Sequence, residues 1–133
     1  MTREIKYRVW DETAGKFRDL AVYDVKNGKV VVRFPIETLK KGEYQLEQYT
    51  GLKDKNGEEI YEGDIFRNTI NGGTWRISWN EKGAAFWVDS GFAGCSLGDF
   101  DWDRSNRKYG FIRKNCEVIG TIRENPELLG GEE

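Results

Sequence analysis

Trp75, Ile77 and Trp79 fall on alternate positions of one short run, with Thr74, Arg76, Ser78 and Asn80 between them. A period of two puts the large apolar set on one face of a β-strand and the polar set on the other; a helix would scatter both. Asn71-Gly72-Gly73 precedes this run and Glu81-Lys82-Gly83 follows it. Both connections are short and carry glycine where a tight hairpin needs a positive φ. The flanking runs, 64–70 and 84–90, therefore become strands as well. Residues 64–90 are expected to form an antiparallel meander with one face buried and both tryptophans inward.

The same reading extends outward. Ile5, Tyr7 and Val9 alternate with Lys6 and Arg8 as a half-buried strand, 12–16 forms a turn, and Phe17 opens a second run. Runs 20–25 and 29–34 flank Asn27-Gly28, a hairpin signal, with Val30, Val32 and Phe34 on one face. Pro35 ends that strand by removing a donor. Residues 40–51 show no sustained period and are expected to be irregular with a short strand. Residues 53–57 read as a polar turn and 116–122 as a closing strand. Asn125-Pro126 is a helix-start signal with one turn over 127–129. Residues 91–110 lose the alternation and read as a long irregular segment. No repeat or linker is expected, so residues 1–129 form one domain with a frayed tail at 130–133.

Composition narrows the chemistry. At 133 residues the chain is of single-domain size, and 14% aromatic residues offset a modest 38% hydrophobic fraction. A net charge of −2 argues against disorder and against gripping nucleic acid by bulk charge. No run approaches a membrane span, and the first ten residues have no signal-peptide pattern, so the expected location is the cytoplasm. The chain has no histidine, which excludes Ser–His and Cys–His catalysis and histidine-containing zinc sites. Cys95 and Cys116 are too few for an all-thiolate zinc site and are expected to be small buried hydrophobes. No cofactor and no metal are expected.

Three stretches carry a family resemblance: residues 3–11 (REIKYRVWD), 49–65 (YTGLKDKNGEEIYEGDI) and 118–129 (VIGTIRENPELL). In order and spacing they resemble the YopX family of bacteriophage and prophage proteins, from near the first residue to Leu129. The resemblance implies a mainly β fold: a small SH3-like barrel core with additional N-terminal hairpins and at most short helical turns. It implies no catalytic residue and no established biochemical role. Glu62-Gly63-Asp64-Ile65 suits the first strand of such a barrel. Glycine permits a sharp turn there, and the aspartate can accept local backbone donors.

Other constellations are weaker. Asp54, Asn56 and Glu58 sit at alternate positions, but a calcium loop would then need glycine at 59 and glutamate at 65, where Glu59 and Ile65 stand. Gly91, Gly94 and Gly98 make no phosphate loop, because no Gly-Lys-Ser/Thr follows. Trp75 and Trp79 share a face opposite Arg76, which favours core over base stacking. Asp99, Asp101 and Asp103 alternate with Phe100 and Trp102. In an extended chain they would line one face about 7 Å apart and offer a cation stripe. Residues 91–114 hold Phe92, Phe100, Trp102, Tyr109 and Phe111, then turn basic at Arg104, Arg107, Lys108, Arg113 and Lys114. Trp, Tyr and Arg dominate protein interface energies, and a long loop in a small domain is often functional. The expected contact residues are Phe100, Asp101, Trp102, Arg104, Arg107 and Tyr109. The expected function is a non-enzymatic accessory module that binds a protein, another copy of itself or a host protein. A nucleic-acid module is the alternative, and no membrane is involved. The competing expectation is that Phe100 and Trp102 plug an open end of the barrel.

Overall fold

The computed structural model describes residues 6–18, 22–26, 29–33 and 44–129. These fall into two compact units divided between Tyr49 and Thr50. In the first unit, β1 (Tyr7–Asp11) pairs antiparallel with β2 (Lys16–Arg18), Trp10 opposite Phe17 and Asp11 opposite Lys16. On its other side β1 pairs with the start of β5 (Tyr44–Lys53). A central strand is covered on both edges, and Val9 and Trp10 are buried accordingly. β3 (Val22–Lys26) and β4 (Lys29–Arg33) pair antiparallel with Lys26 opposite Lys29. The expected turn at Asn27-Gly28 lies outside the described residues, as do Ile5, Leu20, Phe34, Pro35 and the tail 130–133.

β5 corrects the expectation for 40–51, since ten consecutive residues are strand. Its apolar period is hidden because a carboxylate takes an inward position beside Tyr49. Glu47 is buried and bonded to Arg8, while Leu46 beside it is exposed. A buried ion pair on the inner face removes the signal that alternation would give.

In the second unit, the end of β5 lies beside β6 (Glu59–Tyr61). The main sheet has five strands in the order β10-β9-β8-β7-β13: β10 (Gly94–Ser96), β9 (Ala85–Asp89), β8 (Thr74–Asn80), β7 (Asp64–Asn68) and β13 (Cys116–Thr121). The meander β7-β8-β9 is antiparallel throughout, as the glycine connections require. The sheet is open and curls into half of a barrel. Its core is Ile60, Phe66, Ile77, Val88, Leu97, Ile112 and Cys116. Each large aliphatic or aromatic member contributes about 1.5–3 kcal/mol by leaving water.

The two tryptophans of β8 differ. Trp75 is half-buried against the core, but Trp79 is 42% exposed, contrary to the sequence reading. Alternation placed both on one face and said nothing of how far the core extends along it. Trp79 stands at the strand end, edge-on to Phe86 at 5.2 Å.

Aspartates fix the connections. Asp64 Oδ2 accepts the Tyr61 N–H at 2.8 Å behind Gly63 at φ 89°, as expected for that motif. The 53–57 turn is built on buried Asp54. Its Oδ1 accepts from Asn56 and Glu58, and its Oδ2 accepts the Val118 N–H of β13 at 2.8 Å. Asn125-Pro126 opens a 3₁₀ turn over Pro126–Leu129. That turn demands glycine at 120, where a Cβ would lie 2.6 Å from Asn125 Oδ1.

Residues 91–110 are not irregular. After β10 come α1 (Leu97–Asp101), β11 (Trp102–Asp103) and β12 (Lys108–Tyr109), with α2 (Phe111–Asn115) immediately beyond. Elements of two to five residues are too short to show a period. Leu97 and Ile112 anchor the two helices in the core. Among the described residues no helix is long and apolar enough to cross a membrane.

Candidate functional site

The β11–β12 hairpin and its supports are assembled by the aspartates that sequence spacing suggested as a cation stripe. The stripe does not form. Asp99 is exposed in the first turn of α1, where Ser96 Oγ accepts its N–H. Asp101 is buried, and its Oδ1 accepts the Ile112 N–H at 2.9 Å, fastening α2 to the end of α1. Asp103 Oδ1 accepts from the Ser105 and Asn106 N–H groups, and Oδ2 accepts from Asn106 Nδ2 at 2.7 Å. A helix and a turn replace the extended chain that a stripe needs. Among the described residues, no three acidic or thiol groups gather as a metal site.

Electrostatics separates the two bonded carboxyls. The Asn106 side chain, with the Asn106 and Ser105 N–H groups, holds Asp103 below its ordinary value of 3.8. Burial pushes Asp101 up, outweighing the N–H groups of Ile112 and Gly110 and the charge of Arg113. Cys116 is fully buried, and burial, followed by the charges of Asp101 and Asp54, pushes it up to about 12. Cys95, only half-buried, is raised by burial and by Asp99. Both thiols are therefore protonated at neutral pH and poor nucleophiles.

Six residues were singled out from the sequence. Trp102, Arg104 and Tyr109 meet, together with Cys95 and Asp99, around a concavity of about 620 Å³. Trp102 and Tyr109 are cross-strand neighbours, edge-on at 5.0 Å and 74°, and are 40% and 67% exposed. Arg107 is exposed in the hairpin turn. Phe100 and Asp101 face the other way. Phe100 packs at 5.0–5.9 Å against Phe66, Trp75 and Phe111 as part of the core, and Trp102 does not.

The structure also exposes a repeat that the sequence reading missed. Trp10-Asp11 is followed after four residues by Lys16-Phe17, and Trp102-Asp103 after four residues by Lys108-Tyr109. Both segments are hairpins in the same register. Each aspartate accepts from the second and third residues after it, and its carbonyl accepts the N–H of the fourth, from Gly15 or Arg107, at 2.8 Å. That fourth residue is left-handed in both, at φ 67° for Gly15 and 54° for Arg107. Trp-Asp, four residues, Lys-aromatic is the signal that would have found the hairpin.

Cations behave differently in the two places. Arg8, Arg18, Arg67 and Arg76 each pair with a carboxylate: Glu47, Asp11, Glu117 and Asp89. Among the described residues, Arg104, Arg107, Lys108, Arg113 and Lys114 form no ion pair, and all five are exposed.

Comparison with known proteins agrees with this fold. The YopX protein family matches residues 6–130. The crystal structure of protein EF1440 from Enterococcus faecalis is similar at 26% identity and a TM-score of 0.62, over 97% of this chain and 100% of that one. The X-ray structure of protein yopX from Bacillus subtilis shares the fold at 19% identity and a TM-score of 0.50, again over 97% and 100%. No curated protein matches the sequence. The family match runs from the residue before β1 through the final 3₁₀ turn, and the chain belongs to the YopX protein family.

Proposed function

We propose that this protein is a non-enzymatic binding module, that the β11–β12 hairpin is its contact surface, and that its partner is a protein. The observation that carries this reading is the contrast between two hairpins of one design. One has Trp10 buried, Phe17 half-buried and its arginines paired; the other leaves Trp102 and Tyr109 exposed beside cations that form no ion pair among the described residues. Arg107 adds to it. A non-glycine residue in left-handed backbone costs on the order of 1 kcal/mol, and its twin position has glycine. Ala84 adopts the same backbone in the turn between β8 and β9, but Arg107 does so with a long, charged and exposed side chain, which points to use of that side chain.

The remaining groups support binding over catalysis. Asp101 and Asp103 are committed to backbone N–H groups, the thiols are protonated, and the chain has no histidine. A bacterial cytoplasm, in the phage or prophage setting that the family resemblance implies, is the proposed location. A nucleic-acid partner is the second reading, favoured by cations flanking exposed aromatics.

Affinity capture from a lysate of the bacterium that carries the gene tests the proposal. Wild type should retain a defined protein that Arg104→Glu/Arg107→Glu loses, with both chains equally folded by circular dichroism. Identical retention by the two would overturn it.

A further inference from the structure

We infer that the partner docks as an extended, acid-rich peptide segment that adds a strand to the outer edge of β10, an inference that rests on the hairpin being the contact surface. β10 is the terminal strand of its sheet. The turn before it closes with the Ser90 N–H bonded to the Ala93 carbonyl at 3.0 Å, and Cys95 lies opposite Val88. Hydrogen-bonded and non-bonded pairs alternate along an antiparallel ladder, so Cys95 bonds inward to β9. The N–H and carbonyl of Gly94 and the N–H of Ser96 then point outward. Among the described residues no hydrogen bond reaches them. An incoming strand would satisfy them, which is the main-chain part of strand addition.

The two faces of that edge say what side chains the segment carries. On one face Cys95 opens into the concavity with Trp102, Arg104 and Tyr109, so residues of the added strand on that side meet an aromatic pair and a cation. On the other face the Trp87 indole reaches over Gly94. A Cβ there would lie 2.4 Å from its Nε1, so position 94 must be glycine and the indole lies along the edge. Alternate residues of the segment therefore face an apolar ring. Phe92, 98% exposed in the turn leading into β10, extends the apolar contact.

Charge selects the occupant. Arg104 lines the concavity, and Arg107, Lys108, Arg113 and Lys114 follow it in the chain, none in an ion pair among the described residues, so this region calls for an anionic partner. A second copy of this chain, paired edge to edge, would set those cations against their own equivalents. A nucleic acid has no backbone to complete the β10 ladder. An acidic peptide completes the ladder and brings the opposite charge to the cations.

Panning a library of short random peptides against the full chain, with a poly-dT oligonucleotide tested in parallel, decides this. Enriched peptides should carry Asp or Glu at alternate positions. Their affinity should fall at least about tenfold for Arg104→Glu, and by a similar factor when alternate peptide nitrogens are methylated. Amide exchange at Gly94 and Ser96 should slow on binding. If methylation changes nothing and those amides exchange as before, while Arg104→Glu still removes binding, strand addition is wrong and the hairpin surface stands. If neither Arg104→Glu nor Trp102→Ala weakens the enriched peptides, the contact surface is wrong too. If poly-dT binds and no acidic peptide is enriched, the partner class is nucleic acid and the inference fails.

Discussion

The β1–β2 and β11–β12 hairpins are built from the same parts and placed in opposite settings. Each has a tryptophan edge-on to the aromatic ring across from it, at 4.8 Å for Trp10–Phe17 and 5.0 Å for Trp102–Tyr109. Each turn is held by an aspartate whose carboxylate accepts two backbone N–H groups. In the first, β5 continues the sheet beyond β1, Trp10 is 8% exposed, and Arg8 stacks 4.4 Å from the Phe17 ring while paired to Glu47. In the second, the ribbon has two strands among the described residues, and its cations form no ion pair there. The lesson is that the hairpin motif is a structural unit, and what continues the sheet decides whether its tryptophan is buried or exposed.

The largest expected effect breaks or sustains that contrast at the tryptophans. Trp10→Ala should cost about 3–5 kcal/mol in urea unfolding, the range for emptying a large buried aromatic site. Trp102→Ala should cost no more than about 1.5 kcal/mol, the worth of an exposed aromatic pair. Equal losses would mean that Trp102 is core after all.

Acid should act on the two turns alike and on Asp101 in reverse. The Ala14 N–H, with Arg18, holds Asp11 below 3.8, as the Asn106 amide holds Asp103. Carboxyls depressed in the fold contribute stability above their unfolded value, and it is lost as pH falls through the folded one. Asp11→Asn and Asp103→Asn should each flatten the loss of melting temperature below about pH 4. Asp101 is raised by burial, so its contribution is full below the unfolded value and is lost as pH rises through the folded one. Asp101→Asn keeps an acceptor for the Ile112 N–H. It should gain on wild type as pH rises from 3 to 7, and a widening deficit would contradict the burial argument.

A smaller effect lies at the left-handed positions. Gly15→Arg should cost on the order of 1 kcal/mol from backbone alone, since no atom stands within 4 Å of a Cβ there. A larger loss would show that the two turns are not equivalent.

These contrasts also show what the sequence could disclose. The β7-β8-β9 meander was legible because apolar and polar residues separate cleanly on β8 and glycine marks both turns. β5 was not, because Glu47 occupies an inward position that its partner Arg8, 39 residues away, makes tolerable. The proposed contact surface was suggested by composition, through the aromatics and cations of 91–114. Its geometry was not. The spacing of Asp99, Asp101 and Asp103 implied an extended chain, whereas a helix cap, a helix–helix fastening and a turn each take one of them. Such short elements are set by individual side-chain bonds rather than by periodicity.

The central claim is that the second hairpin accepts strain at Arg107 in order to present that side chain to a partner. Arg107→Gly tests it most directly, with unfolding and partner capture measured on the same preparation. Glycine relieves the left-handed backbone, so stability should stay level or rise by about 0.5–1 kcal/mol, while capture falls at least about tenfold. Undiminished capture by a chain of equal or greater stability would contradict the account.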